Sequence, residues 1–171
     1  MQADCFSNTI RYTDPWSNCL DALRVGMAYF IYSGDVEKLN GCAPFSDGEC
    51  VALVQATPSV GHTSRWRPGP RVVDLSYLNP GTVIANFVFD EQGNGRFPNQ
   101  HGYHAALFVD FCGRSVSSTK PKNIRVMDQW RTRIPDTIRQ REIVARGKSK
   151  AEGSAYSDSD NADQFYVVVS K

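Results

Sequence analysis

From residue 82 onward the sequence reads as strand after strand. Five stretches, "TVIANFVF", "YHAALFVDF", "NIRVMDQW", "TIRQREIVA" and "QFYVVVS", are rich in β-branched and aromatic residues and are separated by turn-forming clusters such as "DEQGNG" and "CGRS". The upstream part has the opposite character. "DPWSNCLDALRVGMAYF" offers Asp14 as an N-cap and Pro15 at the first helical position, and Leu20, Leu23 and Met27 recur at helical spacing. A second helix is predicted at Cys50-Val51-Ala52-Leu53-Val54, with Ser46 and Glu49 spaced as a capping box and Pro58 as the stop. Helices followed by consecutive strands predict an α+β fold in which N-terminal helices pack on an antiparallel β-sheet.

Two segments fit neither pattern. "TSRWRPGPRVVDLSYLNPG", rich in Pro and Gly, is expected to be a long surface loop closing in a turn at Asn79-Pro80-Gly81. "RGKSKAEGSAYSDSDNAD" is too polar to bury and is expected to make residues 146–163 a mobile loop before the last strand. No internal repeat is present, and 171 residues fit one domain spanning 1–171.

A formal charge of +1 leaves no global electrostatic signal for nucleic acid or an anionic membrane, so partners must be read from local features. No apolar run reaches the roughly 18–20 residues that span a bilayer, and "MQADCFSNTI" lacks a secretory signal. The cysteines, at positions 5, 19, 42, 50 and 112, are odd in number. Two disulfides and one free thiol fit that count, with Cys5 and Cys19 among the paired residues and Cys50 left over. On that reading the protein is secreted and begins at a processed N-terminus behind an added initiator Met.

A cysteine in the first turn of a helix meets the positive end of the helix dipole, which favours thiolate. His104 stands at the entry to a strand, beside the small Ala105 and Ala106. In "NIRVMDQW", alternation sets Ile124, Val126 and Asp128 on one face, so that a carboxylate ends an apolar row. A buried carboxylate needs a partner. If the two strands are neighbours, Asp128 can accept a hydrogen bond from one imidazole nitrogen while the other reaches the Cys50 sulfur, giving nucleophile, base and orienting group.

The succession "GECVALVQ", "LNPGTVIANF", "YHAALFVD" and "IRVMDQW" resembles the papain-like cysteine amidases that cut peptidoglycan peptides, of the NlpC and CHAP type. Within that group it is most similar to the type VI secretion amidase effectors and their domesticated eukaryotic relatives from ticks and mites, over roughly residues 40–145. The resemblance implies a papain-like cysteine hydrolase fold and an antibacterial, bacteriolytic peptidoglycan amidase or endopeptidase. It puts Cys50 at the nucleophile position and His104 at the base, and leaves Asp128 or Gln129 as the third residue. It also implies a thiol protease without a cofactor, acting on stem peptides or cross-links with meso-diaminopimelate beside the cut. The extra cysteines fit the secreted, extracellular branch. A bacterial effector delivered to the periplasm of a target cell, with an immunity or inhibitor protein as partner, is the alternative. A monomer is expected in either case.

Two other functions fit parts of the pattern. A transglutaminase-like acyltransferase uses Cys, His and Asp in the same order, and a non-catalytic disulfide-stabilised secreted module requires Cys50 to be bonded or inert. Trp66, Arg67 and Phe97 are candidate substrate-binding residues, and Arg65, Arg67 and Arg71 can meet carboxylates of an anionic stem peptide. His101 and His104 form an H-x-x-H pair, but strand spacing sends the two side chains to opposite faces and no second ligand cluster exists, so no metal is expected.

Overall fold

The computed structural model describes residues 29–56, 60–113, 123–132 and 136–170. Its centre is an antiparallel sheet built from β1 (Trp66–Arg71), β2 (Val83–Asn86), β5 (Ala105–Cys112), β6 (Asn123–Asp128), β7 (Arg139–Val144) and β8 (Phe165–Ser170), in the order β1-β8-β2-β5-β6-β7. A two-stranded ribbon of β3 (Val88–Phe89) and β4 (Gly95–Arg96) lies apart. The strand-like stretches of the sequence all form strands. "TVIANFVF" contributes two, β2 and β3, interrupted at the largely buried Phe87.

Alternation along the strands divides the core between the two sheet faces. Val83, Ala85, Ala105, Leu107, Met127 and Val168 join Leu53 and Val54 of the one α-helix among the described residues, α1 (Cys50–Gln55), in one apolar cluster. Their strand neighbours Ile84, Ala106, Phe108, Ile124, Val126 and Val167 form a second with Val72, Val73 and Ala162. Because both faces are covered, the central strands read as nearly continuous apolar runs. Fully burying a side chain such as Leu107 or Phe108 is worth about 1.5–3 kcal/mol against leaving it exposed. Those residues fix the register Leu107↔Met127 and Phe108↔Val126.

Several expectations are corrected. The segment from Trp66 is an edge strand followed by a 3-10 turn at Val72–Asp74, rather than a surface loop. Pro68 and Pro70 fit because β1 is bonded on one side only, to β8, and its register slips between Pro68 and Arg71. The capping box is absent. Glu49 itself is the N-cap and makes no side-chain cap bond, while Ser46 sits at φ 50° and Asp47 accepts the Glu49 N–H at 3.1 Å. The helix expected from Pro15 onward, and Pro58, lie outside the described residues. N-terminal helices packed on the sheet are therefore replaced, among the described residues, by six-residue α1 and short 3-10 turns such as Val36–Leu39.

Residues 146–163, expected to be a mobile loop, carry 3-10 turns at Asp158–Asp160 and Ala162–Gln164. A polar segment can be anchored by hydrogen bonds instead of apolar burial. Fully buried Asn161 donates to the carbonyls of Gly147 and Lys148 and accepts from the N–H groups of Arg146 and Asp163. Asp158 accepts the N–H of Lys150 at 2.7 Å, and the Arg146 guanidinium lies 3.8 Å over the Tyr156 ring.

Candidate active site

Cys50 opens α1, and the chain just before it is held by a single side chain from the residue that follows β6. Gln129 accepts the Phe45 N–H at 2.8 Å and donates to the carbonyls of Phe45 at 3.0 Å and Glu49 at 2.8 Å. Every polar atom of this buried amide is thereby bonded to the segment that leads into Cys50. Asp128, one residue earlier, points to the other face. The β5–β6 register, continued one step from Leu107↔Met127, sets it opposite Ala106, whose small side chain leaves space.

His104 fills that space. Its Nε2 lies 2.9 Å from Asp128 Oδ2, and its ring also hydrogen-bonds the Cys50 thiol, for which Nδ1 remains. The Trp130 ring stacks on the imidazole at 4.9 Å and 25°. The main chain at His104 is fixed by Asn86, whose N–H donates to the His104 carbonyl at 3.0 Å and whose Oδ1 accepts the His104 N–H at 3.0 Å. The Asn86 amide nitrogen donates to the carbonyls of Asp158 and Gln164. Asn86, tied at both ends of its amide, thus holds the main chain from which the imidazole projects.

The His104 and Asp128 side chains are 2% and 1% exposed. Burial alone would drive His104 toward the neutral form, but the bonds to Asp128 and Cys50 outweigh it and raise its pKa to about 9. For Asp128, burial favours protonation, and His104 and Arg141 overcome it, holding the carboxyl below the usual carboxylate range. Near neutral pH the site therefore holds an imidazolium between a carboxylate and a cysteine sulfur. Such an arrangement can activate sulfur as a nucleophile and can deliver a proton to a leaving group. Cys50 and His104 open onto a cleft of about 550 Å³ whose walls include Asp47, Phe97, Tyr103 and Trp130.

A family model described as domesticated amidase effector 2 matches residues 27–168. The chain belongs to that family. It is also 33% identical, over 124 residues, to the type VI secretion amidase effector 2 protein of Salmonella typhi, an alignment covering 70% of this chain and 84% of the relative. The solved structure of type 6 secretion amidase effector 2 superposes with a TM-score of 0.66 at 31% identity, covering 83% of this chain and 95% of the other.

The remaining candidate residues of this chain fall unevenly. Phe97 and His101 line the cleft. Trp66 does not: it is fully buried, packs on Phe97 at 5.1 Å between ring centres and donates its indole N–H to the Val60 carbonyl. Arg67 turns back on the carbonyls of Ser64 and Trp66, and Arg71 pairs with Asp74. Neither Trp66 nor Arg67 is among the cleft-lining residues. The cysteine count is corrected as well. Cys42 is disulfide-bonded, but both Cys50 and Cys112 are free, which leaves three other cysteines and room for one internal disulfide where two were expected. Cys5 and Cys19 lie outside the described residues. Burial, with Glu142 and Asp110 nearby, pushes the Cys112 thiol up to about 11, so it is a poor nucleophile at neutral pH.

Sequence reasoning passed over Asn86, Trp130 and Arg141. Asn86 stands in an apolar strand stretch, where a lone amide signals a buried polar bond, and Trp130 directly follows the Asp128-Gln129 pair. Arg141 lies in "TIRQREIVA", where an arginine on a strand reads as solvent-facing; in the fold it is 13% exposed and bonded to Asp128.

Proposed function

We infer that this protein is a peptidoglycan amidase with antibacterial action, and that Cys50, His104 and Asp128 carry its chemistry. The observation behind this reading is the continuous hydrogen-bonded path from the Cys50 thiol through His104 to buried Asp128, beginning at a cleft that Cys50 and His104 line, in a chain belonging to an amidase effector family. The Cys50 sulfur attacks the amide carbonyl carbon, and the electron pair of the C=O bond moves onto oxygen. Backbone N–H groups at the start of α1 steady that oxyanion. As the tetrahedral species collapses, the C–N bond breaks and His104 gives its proton to the departing amine. A thioester remains on Cys50. Neutral His104 then takes a proton from water as the hydroxyl adds to the thioester, and release of the acid returns sulfur and imidazolium to their starting state.

Gln129 has no part in the proton path, because its amide is fully engaged by Phe45 and Glu49. The free Cys50 thiol favours this reading over a silent disulfide-stabilised module. The finer proposals are a papain-like hydrolase without a cofactor, acting on stem peptides or cross-links either as a secreted monomer or as an effector delivered to a periplasm and countered there by an immunity protein. No helix among the described residues is long and apolar enough to cross a membrane.

Digestion of purified peptidoglycan in 18O-labelled water, followed by mass spectrometry, tests the reaction class. Hydrolysis places one labelled oxygen in each new carboxyl group. Products carrying a transferred amine and no label would turn the protein into an acyltransferase.

A further inference from the structure

Resting on the amidase reading of the cleft, we propose that Arg141 is a positioning residue for the reaction: it sets both the orientation and the basicity of His104 by holding the carboxylate that His104 uses. The register Val126↔Arg141 puts Arg141 on the β6–β7 face shared by Val126 and Asp128. Its Nε donates to Asp128 Oδ2, the same oxygen that meets His104 Nε2, while buried Asp128 Oδ1 has no hydrogen-bond partner among the described residues. One carboxylate oxygen is thus shared by two cationic groups, and the direction of its lone pairs is set by the one that cannot lose its proton. Arg141 is itself locked. Its Nη1 donates to Asp160 at 2.7 Å, its Nη2 to the Ser159 carbonyl at 2.9 Å, and its guanidinium lies 5.5 Å from the centre of the Trp130 ring that stacks on His104.

The electrostatic consequence has a definite sign. Arg141 is a fixed positive charge behind the imidazolium, so it opposes the raising of the His104 pKa by Asp128 and Cys50 and keeps the neutral base needed for thioester hydrolysis within reach. The charged and titratable groups facing His104 are Cys50 from α1 and Asp128 from β6, with Arg141 of β7 and Asp160 behind the carboxylate. Asp47, Glu49, His101 and Tyr103 line the same cleft. A purely structural Arg141, serving only to tie the Asp158–Asp160 turn to the sheet, would affect folding stability and leave the titration of His104 unchanged.

The experiment follows the His104 ring by NMR titration alongside peptidoglycan hydrolysis, in the wild type, Arg141→Gln, Arg141→Lys and Asp160→Asn. With only three histidines in the chain, the His104 signal is assigned by its loss in His104→Gln. Arg141→Gln is expected to move the His104 midpoint upward by about half a unit or more and to lower turnover about tenfold with little change in KM. Arg141→Lys keeps the charge and loses the fork, so its midpoint stays near the wild-type value while its turnover falls. Asp160→Asn gives a smaller loss in the same direction. An unmoved midpoint and unchanged turnover in folded Arg141→Gln overturn the proposal. If Arg141→Gln does not fold, wild-type turnover in Arg141→Lys overturns it instead. Should the wild type release nothing from peptidoglycan, the amidase reading fails, and the NMR midpoint still decides the role of Arg141.

Discussion

Cys50 and His104 meet in one cleft, yet the chain fixes them by different chemistry. On the Cys50 side, the segment from Phe45 to Glu49 is held by a neutral amide, Gln129, bonded to backbone groups alone among the described residues. On the base side, His104 rests on a run of ions, from Asp128 to Arg141 to Asp160. Asp128, the last residue of β6, and Gln129, the next in the chain, serve the two sides because successive side chains point to opposite faces, Gln129 toward the segment before Cys50 and Asp128 toward His104. The contrast separates placement from ionisation: the neutral clamp should be indifferent to pH, and the ionic run should carry the pH dependence of both stability and rate.

Breaking the ionic side has the largest expected effect. His104→Ala should lower peptidoglycan hydrolysis by about 10³-fold, since it removes the proton carrier, whereas Asp128→Ala, which removes only the orienting carboxylate, should cost about 10²-fold. Initial rates of fragment release check the order, and an Asp128 variant as impaired as the His104 variant would mean that the carboxylate does more than orient. Gln129→Ala comes next. It deletes three hydrogen bonds around a buried group and should destabilise the fold by about 2–3 kcal/mol while slowing turnover about tenfold, with the midpoints of the pH–rate profile unchanged. A shifted midpoint in that variant would blur the contrast between the two sides.

The stability of the wild type sharpens the comparison. The folded protein holds the His104 proton up to about pH 9, against about 6.5 for an unperturbed imidazole, so this contribution is fully present below pH 6.5 and is lost as pH rises through 9. Denaturant titrations should show a loss of up to about 3 kcal/mol across that window, and His104→Gln should flatten it. Asp128 acts in the opposite sense, its depressed pKa contributing stability that disappears as the medium becomes acidic enough to protonate it in the folded state. The smallest effect belongs to Arg67→Ala. Among the described residues its guanidinium bonds nearby carbonyls away from the cleft and nothing else, so KM should stay at the wild-type value and stability should change by no more than about 0.5 kcal/mol.

The same contrast explains which features were legible in the sequence. Strand positions follow from local composition and alternation, and so does the sharing of one face by Val126 and Asp128, which made the pairing of Asp128 with His104 readable once the strands were taken as neighbours. Cys50 at a helix start was readable too, though its cap was not: a positive φ at Ser46 and an Asp47 bond to the Glu49 N–H replace the capping box that the residue types suggest. Arg141 and Asn86 depend on contacts between segments far apart in the chain, Arg141 with Asp160 and Asn86 with Gln164, and no local pattern encodes them. Trp66 misled for a related reason. A tryptophan among prolines and arginines resembles an exposed binding residue, and only the pairing of β1 with β8 turns it into the core.

The central claim is that one free thiol of this protein is a nucleophile and the other is not. Purified peptidoglycan treated in parallel with wild type, Cys50→Ala and Cys112→Ala, each shown by circular dichroism to be folded, tests it directly. The account predicts the same released fragments from Cys112→Ala as from the wild type and none from Cys50→Ala. Fragments released by Cys50→Ala at the wild-type rate would contradict it.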